Sequence, residues 1–386
     1  MNYDCIIVGA GFCGSVIARK LAEYNKKVLI LERRNHIAGN MYDERDPSGI
    51  LIQKYGPHIF HTNNKQVYEI ITKYDTWIDY LHQPAVEING KITPSPANFT
   101  TIDMLYDPEE ADILKKKLHT YYYGQKTVTI LELLDCDDII IKQYAEKLYE
   151  MNYKPYTAKQ WGIPPEEIDS SILKRVPVRL DYINSYFDDV YQCMPKDGYT
   201  NFFNKLLAHE NIKIKLNTDV KYLLRIEKDE KKIIFENKEI FIPVVFTGAL
   251  DELLDYKYGK LPYRSVHFDF QIKNLDSFQE ASVIAYPSVD GYTRITEFKK
   301  LPPQNISGIS IVAYEFPLIA DNNNEPYYPI LTNDNISLYN KYLFEIKKVP
   351  NLFLCGRLAD FKYYNMDTAI IRALNIFEEL IQKYEE

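Results

Sequence analysis

Zinc and disulfide chemistry have little to work with in this sequence. Five cysteines, Cys5, Cys13, Cys136, Cys193 and Cys355, are scattered along 386 residues with no CxxC pair and no Cys/His cluster at zinc spacing. An odd, dispersed set suits a reducing compartment, so a cytoplasmic protein without a bound metal is expected. Long apolar runs are missing too. The longest, around Ile240 to Leu250, contains Pro243 and falls short of the ~18 to 20 residues that span a bilayer. Met1 to Asp4 lack the basic region of a secretory signal, and the apolar stretch that follows breaks at Gly9 and Gly11, so no cleaved leader and no membrane partner are expected. Positive charge is in deficit: 46 Lys and Arg against 54 Asp and Glu give a net charge of −8. That balance argues against nucleic acid while leaving room for a small, locally basic anion site. No internal repeat, low-complexity tract, catalytic triad or nucleophile elbow is visible.

What is present is the composition of a globular protein, 46% hydrophobic and 26% charged, long enough for two or three domains. Asp4 to Val8 is a short apolar run ending at Gly9. Ser15 to Glu23 then reads as a helix with Val16, Leu21 and Ala22 inward, and a second apolar run, Val28 to Leu31, ends in Glu32. This strand, turn, helix, strand unit opens a parallel α/β sheet. From Asp103 to Met151 the period turns helical, with Ile140, Tyr144 and Leu148 at i, i+4 and i+8. A stretch punctuated by Pro155, Pro164, Pro165 and Pro177 reads as a long functional loop. Val266 to Ile272 and Ile309 to Phe316 alternate like antiparallel strands, Leu352 to Cys355 is a further strand, and Thr368 to Ile381 is an amphipathic closing helix.

Gly9, Gly11 and Gly14 form a GxGxxG between a strand and a helix, with Glu32 closing the next strand. In such a turn Gly9 makes the bend, Gly11 lets a pyrophosphate touch the backbone, and Gly14 allows close helix packing. Glu32 would accept ribose hydroxyls, which suits NAD and FAD equally. Two features favour FAD. Arg33, Arg34, Asn35, His36, Ile37, Ala38, Gly39 and Asn40 resemble the second FAD-contacting turn of amine-oxidase-like flavoproteins, and the strand ending at Gly356 and Arg357 leads into a helix whose amino terminus could face a flavin.

Longer blocks follow. Lys54 to Thr62 reads KYGPHIFHT, Tyr156 to Gly162 reads YTAKQWG, and Leu173 to Arg179 reads LKRVPVR, followed by Tyr186 and Phe187. Tyr263-Arg264-Ser265, Tyr292-Thr293-Arg294, Glu315, Glu325 to Pro329, Gly356 to Ala359 and Lys362 to Tyr364 complete the series. Taken together these blocks resemble the UDP-galactopyranose mutase family over nearly the whole chain. The resemblance implies a mutase that interconverts pyranose and furanose forms of a nucleotide-linked sugar for surface polysaccharide synthesis, the galactofuranose of a capsule for instance. Its reduced FAD would act through N5 as nucleophile at the anomeric carbon, without net redox change. It further implies FAD contacts from Gly9, Gly11, Phe12, Gly14, Glu32, Arg33, Gly39, Asn40, His58, Gly356, Arg357, Asn365 and Met366. The catalytic set would be His58, Arg175, Arg294, Tyr328 and Tyr363. Asn98, Tyr156, Trp161, Arg175, Tyr186, Phe187, Arg264, Arg294, Glu315, Tyr328 and Tyr363 would hold substrate, with Trp161 and Arg175 on a mobile lid and Tyr186 stacked on the base. A homodimer is the expected assembly.

The residues support part of this chemistry on their own. Breaking the anomeric bond releases a pyrophosphate, and the planar fork of arginine suits its oxygens. His58 reads equally as a flavin neighbour or a packed core histidine, and Trp161 as lid or loop anchor. Departures from the bacterial galactose enzymes touch Ala38, Ala97, Asn152, Ala285 and Asn365. Ala97 would leave extra room near the sugar and Ala285 would remove a carboxamide from the base, so a deoxy sugar, a heptose or an N-acetylated sugar is expected to be converted faster than UDP-galactopyranose. The expected fold is α/β. Residues 1–78, 198–250 and 340–386 form a Rossmann-type FAD-binding domain, 100–176 a helical insertion with the lid, and 79–99, 177–197 and 251–339 an antiparallel sheet domain. An amine-oxidase-like flavoenzyme and a non-catalytic sugar-nucleotide-binding flavoprotein are the alternatives.

Overall fold

The computed structural model describes residues 2–162, 176–227, 231–321 and 324–385. Cys5–Val8 and Val28–Leu31 bury every side chain, the pattern of strands covered on both faces. They pair in parallel within a five-stranded sheet of order Ile212–Lys215, Val28–Leu31, Cys5–Val8, Val244–Phe246, Leu352–Leu354. The helix between the first two strands starts at Phe12, three residues before the sequence expectation, because Gly11 in extended conformation serves as its N-cap. The closing helix is also longer than expected, Met366–Glu385, and packs along Phe12–Glu23.

A seven-stranded sheet has the order Tyr328–Pro329, Tyr263–Lys273, Ser310–Ile319, Arg294–Glu297, Val283–Ala285, Ala85–Ile88, Lys91–Pro94. Every pairing in it is antiparallel except Val283–Ala285 with Ala85–Ile88. The two alternating segments recognised in the sequence are each other's partners, in register from Arg264 opposite Ile319 to Lys273 opposite Ser310. The outer neighbours of these two strands place Arg264 opposite Tyr328 and Arg294 opposite Glu315 on the same sheet. The fold is thus α/β, a Rossmann-type domain with a helical insertion and an antiparallel sheet.

The insertion packs helices Phe99–Leu105, Pro108–Tyr121, Ile130–Leu134 and Ile139–Leu148 around one buried core, and helix Lys154–Trp161 follows. Within Ile139–Leu148 the inward stripe is Ile141, Tyr144, Ala145 and Leu148, so Ile140 sits beside the stripe. The stretch from Pro155 was expected to be irregular. It is helical through Trp161, since Pro155 falls in the first turn, where no intrahelical N–H is needed. Pro164, Pro165 and the LKR of the third block, Arg175 included, lie outside the described residues. Residues 177–197 also differ from expectation and supply no strand to the seven-stranded sheet. Val178–Arg179 pairs with Thr127–Val128, and Tyr191–Pro195 pairs with Phe60–Thr62 and Trp77–Asp79. The reason is burial: Cys193 and Met194 pack into the core beneath the dinucleotide turn. Helix Asn333–Ile346 straddles the expected boundary at 340 and turns Tyr339, Tyr342 and Ile346 onto the parallel sheet's other core.

Candidate active site

Gly9 leaves its strand at φ +100, and a Cβ there would meet Thr247 Oγ1 at 2.2 Å; a Cβ on Gly14 would meet the Gly9 carbonyl oxygen at 2.0 Å. The protein itself therefore demands glycine at both positions. Gly11 is different. Its φ is −81, and a Cβ would find no atom nearer than Gly39 Cα at 3.8 Å. Nothing in the chain needs glycine there, whereas a pyrophosphate resting on the backbone does. No side chain caps the helix that follows, so its first amides remain available to an anion. The Glu32 carboxylate is held at the end of its strand, Oε2 accepting from the Ala10 N–H and Oε1 from the Arg34 N–H, each at 2.9 Å. The cradle fits a dinucleotide.

Around it the expected cofactor residues divide. Asn40 Oδ1 accepts from both terminal nitrogens of Arg34 at 3.0 Å, next to Gly39. Arg33 is committed to Glu325 at 2.6 Å and Glu252 at 3.4 Å. The ring of Phe12 packs against Phe202 and Phe203 in the core, which leaves its main chain to face the turn. Gly356, at φ +117, donates its N–H to Asp360 Oδ2. Beyond it, Asn365 and Met366 lead into the closing helix, which is pinned to the first by Cys13 Sγ donating to the Ala369 carbonyl.

The second half of the site is cationic and aromatic. Arg294 Nε donates to Glu315 Oε2 at 2.6 Å, and Glu315 is 5% exposed. Nη1 and Nη2 of Arg294 make no hydrogen bond among the described residues, so the fork is open. Desolvation, with the Arg357 and Arg294 charges, lowers the His58 pKa to about 3. Its Nδ1 lies 2.8 Å from the Gly56 carbonyl, which can only accept; Nδ1 therefore carries the proton and Nε2 presents a lone pair. Tyr156 is pushed up to about 12 by burial, opposed by Arg294, with Glu315, Tyr186 and Tyr328 acting on it as well. Tyr328 and Tyr363 stack at 5.4 Å, and Arg357 sits 4.6 Å from the centre of the first ring and 5.4 Å from the second. Tyr186 meets Phe187 edge-on at 5.0 Å, while Phe187 stacks at 3.7 Å on His61, which bonds Asp189 at 2.9 Å.

Arg264 is buried, donates to the Gln160 carbonyl and has no carboxylate partner among the described residues. Trp161 closes the helix Lys154–Trp161 two residues beyond Lys159, whose ammonium donates to the carbonyls of Tyr286, Val289 and Tyr292. Asn98, expected in the substrate set, is engaged by the fold. It is fully buried, caps helix Phe99–Leu105 through the Thr101 N–H, and gives its amide nitrogen to Ile183 and Asn184, so its hydrogen bonds go to the fold. Sequence reasoning passed over Lys159, though it lies inside YTAKQWG, and over His82, a lone histidine that no local pattern marks.

Comparison with known proteins gives this arrangement a family. A family profile for UDP-galactopyranose mutase matches residues 140–363, and one for an NAD(P)-binding Rossmann-like domain matches residues 7–74. The chain belongs to the UDP-galactopyranose mutase family. A probable UDP-galactopyranose mutase of Klebsiella pneumoniae is 36% identical over 98% of this chain and 95% of its own. The dTDP-fucopyranose mutase of Escherichia coli is 37% identical over 99% of both. A crystal structure of reduced UDP-galactopyranose mutase superposes with a TM-score of 0.74 at 16% identity, over 100% of this chain and 95% of that one. The protein is accordingly an isomerase of a flavin-dependent mutase family.

Against that family the departures acquire positions. Ala38 takes φ +74 in the turn before Gly39, a left-handed conformation that costs a side chain roughly 1–2 kcal/mol, so the turn is kept under strain. Ala97 is 2% exposed and packs in the core of the insertion. Ala285 is the register partner of Arg294, next to the open fork, and Asn152 falls in the π-helical turn Tyr149–Tyr153. Asn365 directly precedes the closing helix. Among the described residues no helix is long and apolar enough to cross a membrane, and no cluster has the ligands for a metal.

Proposed function

We propose that the chain interconverts the pyranose and furanose forms of a nucleotide-linked sugar, with FAD in the glycine cradle, for surface polysaccharide synthesis. The observation that carries this reading is Arg294: its guanidinium is fixed by Glu315, its fork is free, and its charge reaches both His58 and Tyr156. An open arginine fork whose charge acts on both the residue expected beside the flavin and the aromatic wall supports a pyrophosphate site there. When bound, reduced FAD supplies the nucleophile for the anomeric carbon. The chain's own residues do the rest. Arg294, with Arg175 as the resemblance implies, holds the departing pyrophosphate; bidentate contacts to a desolvated phosphate are where an arginine fork is strongest. Tyr328 and Tyr363, stacked beneath Arg357, present hydroxyls to the same oxygens. Tyr186 and Phe187 offer a base platform. His58, held neutral with its Nε2 lone pair free, adds an acceptor beside the flavin without adding charge.

The sugar need not be galactose. The relatives named for UDP-galactopyranose and for dTDP-fucopyranose are equally distant, at 36% and 37% identity, and Ala285 removes a carboxamide at the base end. We assign the best substrate to a sugar nucleotide other than UDP-galactopyranose, a deoxy sugar first. The test is anaerobic incubation of the dithionite-reduced holoenzyme with UDP-galactopyranose, dTDP-fucopyranose and an N-acetylated nucleotide sugar, with products separated chromatographically. Conversion of none of them ends the mutase reading, and highest turnover with UDP-galactopyranose ends the substrate assignment.

A further inference from the structure

Seven buried side-chain polar atoms have no hydrogen-bond partner among the described residues, and two of them, Arg264 Nε and His82 Nδ1, adjoin the site. A buried nitrogen left without a partner costs its desolvation, and native chains pair nearly all such groups. His82 is 8% exposed. Its ring centre lies 5.9 Å from that of Tyr186, 6.1 Å from Phe187 and 6.3 Å from Tyr80, so an aromatic wall encloses it. Its carbonyl accepts the Tyr186 N–H at 2.8 Å, which ties its backbone to the base platform. Arg294 lies close enough for its charge to act on the ring from the pyrophosphate side. The ring is nearly buried, and no hydrogen bond reaches Nδ1 among the described residues.

We propose that His82 is a substrate-contacting residue that hydrogen-bonds a sugar hydroxyl of the bound nucleotide sugar. The proposal rests on the mutase reading above. The chemistry matches: a neutral imidazole offers one donor and one acceptor, and a hydroxyl offers the same pair in return. Burial and the neighbouring charges keep the ring neutral, its pKa lowered to about 3 by desolvation, Arg294 and His61. Neither Arg294 nor any other cation near the ring can accept its N–H, so a hydroxyl of the ligand is the complementary group. Ribose and hexose both carry such hydroxyls, and the two sources are separable by experiment.

The experiment uses the reduced holoenzyme and two variants, His82→Phe and His82→Asn. Calorimetric titration measures binding of UDP, dTDP, UDP-galactopyranose and dTDP-fucopyranose, and a thermal melt of each variant is recorded alongside. His82→Phe fills the aromatic wall and removes the unpartnered nitrogen, so it melts at or above the wild-type temperature. It binds the nucleotide sugars about tenfold more weakly, the worth of ~1.4 kcal/mol. His82→Asn, which keeps a donor and an acceptor, recovers part of that loss. A loss confined to the nucleotide sugars assigns the hexose hydroxyl, and an equal loss for UDP and dTDP assigns the ribose. Unchanged binding of all four probes by His82→Phe overturns the proposal, as does a lowered melting temperature with binding that Asn does not restore. Failure of the wild type to bind any of the four overturns the mutase reading itself.

Discussion

Arg294→Ala should produce two losses that can be pulled apart. The first is structural. Glu315 is 5% exposed and takes Arg294 Nε at 2.6 Å, so alanine leaves a buried carboxylate without its cation. Breaking one side of a buried pair costs about 3–5 kcal/mol, and the 28% exposure of the arginine side chain puts this case at the lower end, about 3 kcal/mol. The second loss is chemical. An arginine fork on a leaving pyrophosphate resembles a preorganised donor at an oxyanion, whose removal costs about 10²–10³ in turnover, or ~3–4 kcal/mol of barrier. The double variant Arg294→Ala, Glu315→Gln removes the stranded charge. Urea unfolding should show most of the lost stability restored, while anaerobic turnover stays at the level of the single variant. Arg294→Lys should sit between wild type and alanine in turnover, having the charge without the fork. Recovery of turnover together with stability in the double variant would refute the reasoning, because the arginine would then act on the reaction only by holding Glu315.

Gly11→Val tests the cradle. The new side chain meets nothing closer than Gly39 Cα at 3.8 Å from its Cβ, so the purified variant should fold but lose its yellow colour, and full FAD occupancy by absorbance would place the dinucleotide elsewhere. Asn98→Ala tests whether Asn98 serves the fold or the substrate. Loss of the cap and its amide bonds should lower stability by about 1–2 kcal/mol in a denaturant titration and leave affinity for the nucleotide sugar unchanged; a rise in KM at constant stability would return Asn98 to the ligand.

The dinucleotide turn was legible because its signals are local. Gly9, Gly11, Gly14 and Glu32 lie within one strand, helix, strand unit, and each carries a steric or hydrogen-bonding reason that can be stated without the rest of the chain. The long strands were legible from their alternation. Their register was not, and register is what makes Arg294 and Glu315 a pair across 21 residues of sequence. Asn98 entered the substrate set through the resemblance alone, although the threonine three residues later spells a helix cap. The strand Tyr191–Pro195 was given to the wrong sheet because its inward residues find their core beneath the nucleotide turn, a tertiary preference with no local mark. His82 and Lys159 escaped for the same reason: a lone ionisable side chain declares its partners only once distant segments have met it.

The three carbonyls around Lys159 have a mechanical consequence. Tyr286, Val289 and Tyr292 belong to the hairpin between Ala285 and Arg294, and their oxygens grip an ammonium that rises from the helix ending at Trp161. Carbonyl dipoles from three points fix such a group in direction as well as distance, much as they would fix a metal cation. Helix and hairpin are therefore keyed together like a tenon in its mortise. Whatever displaces the end of that helix carries a lever arm to the hairpin, and Arg294 stands two residues past the last gripping carbonyl.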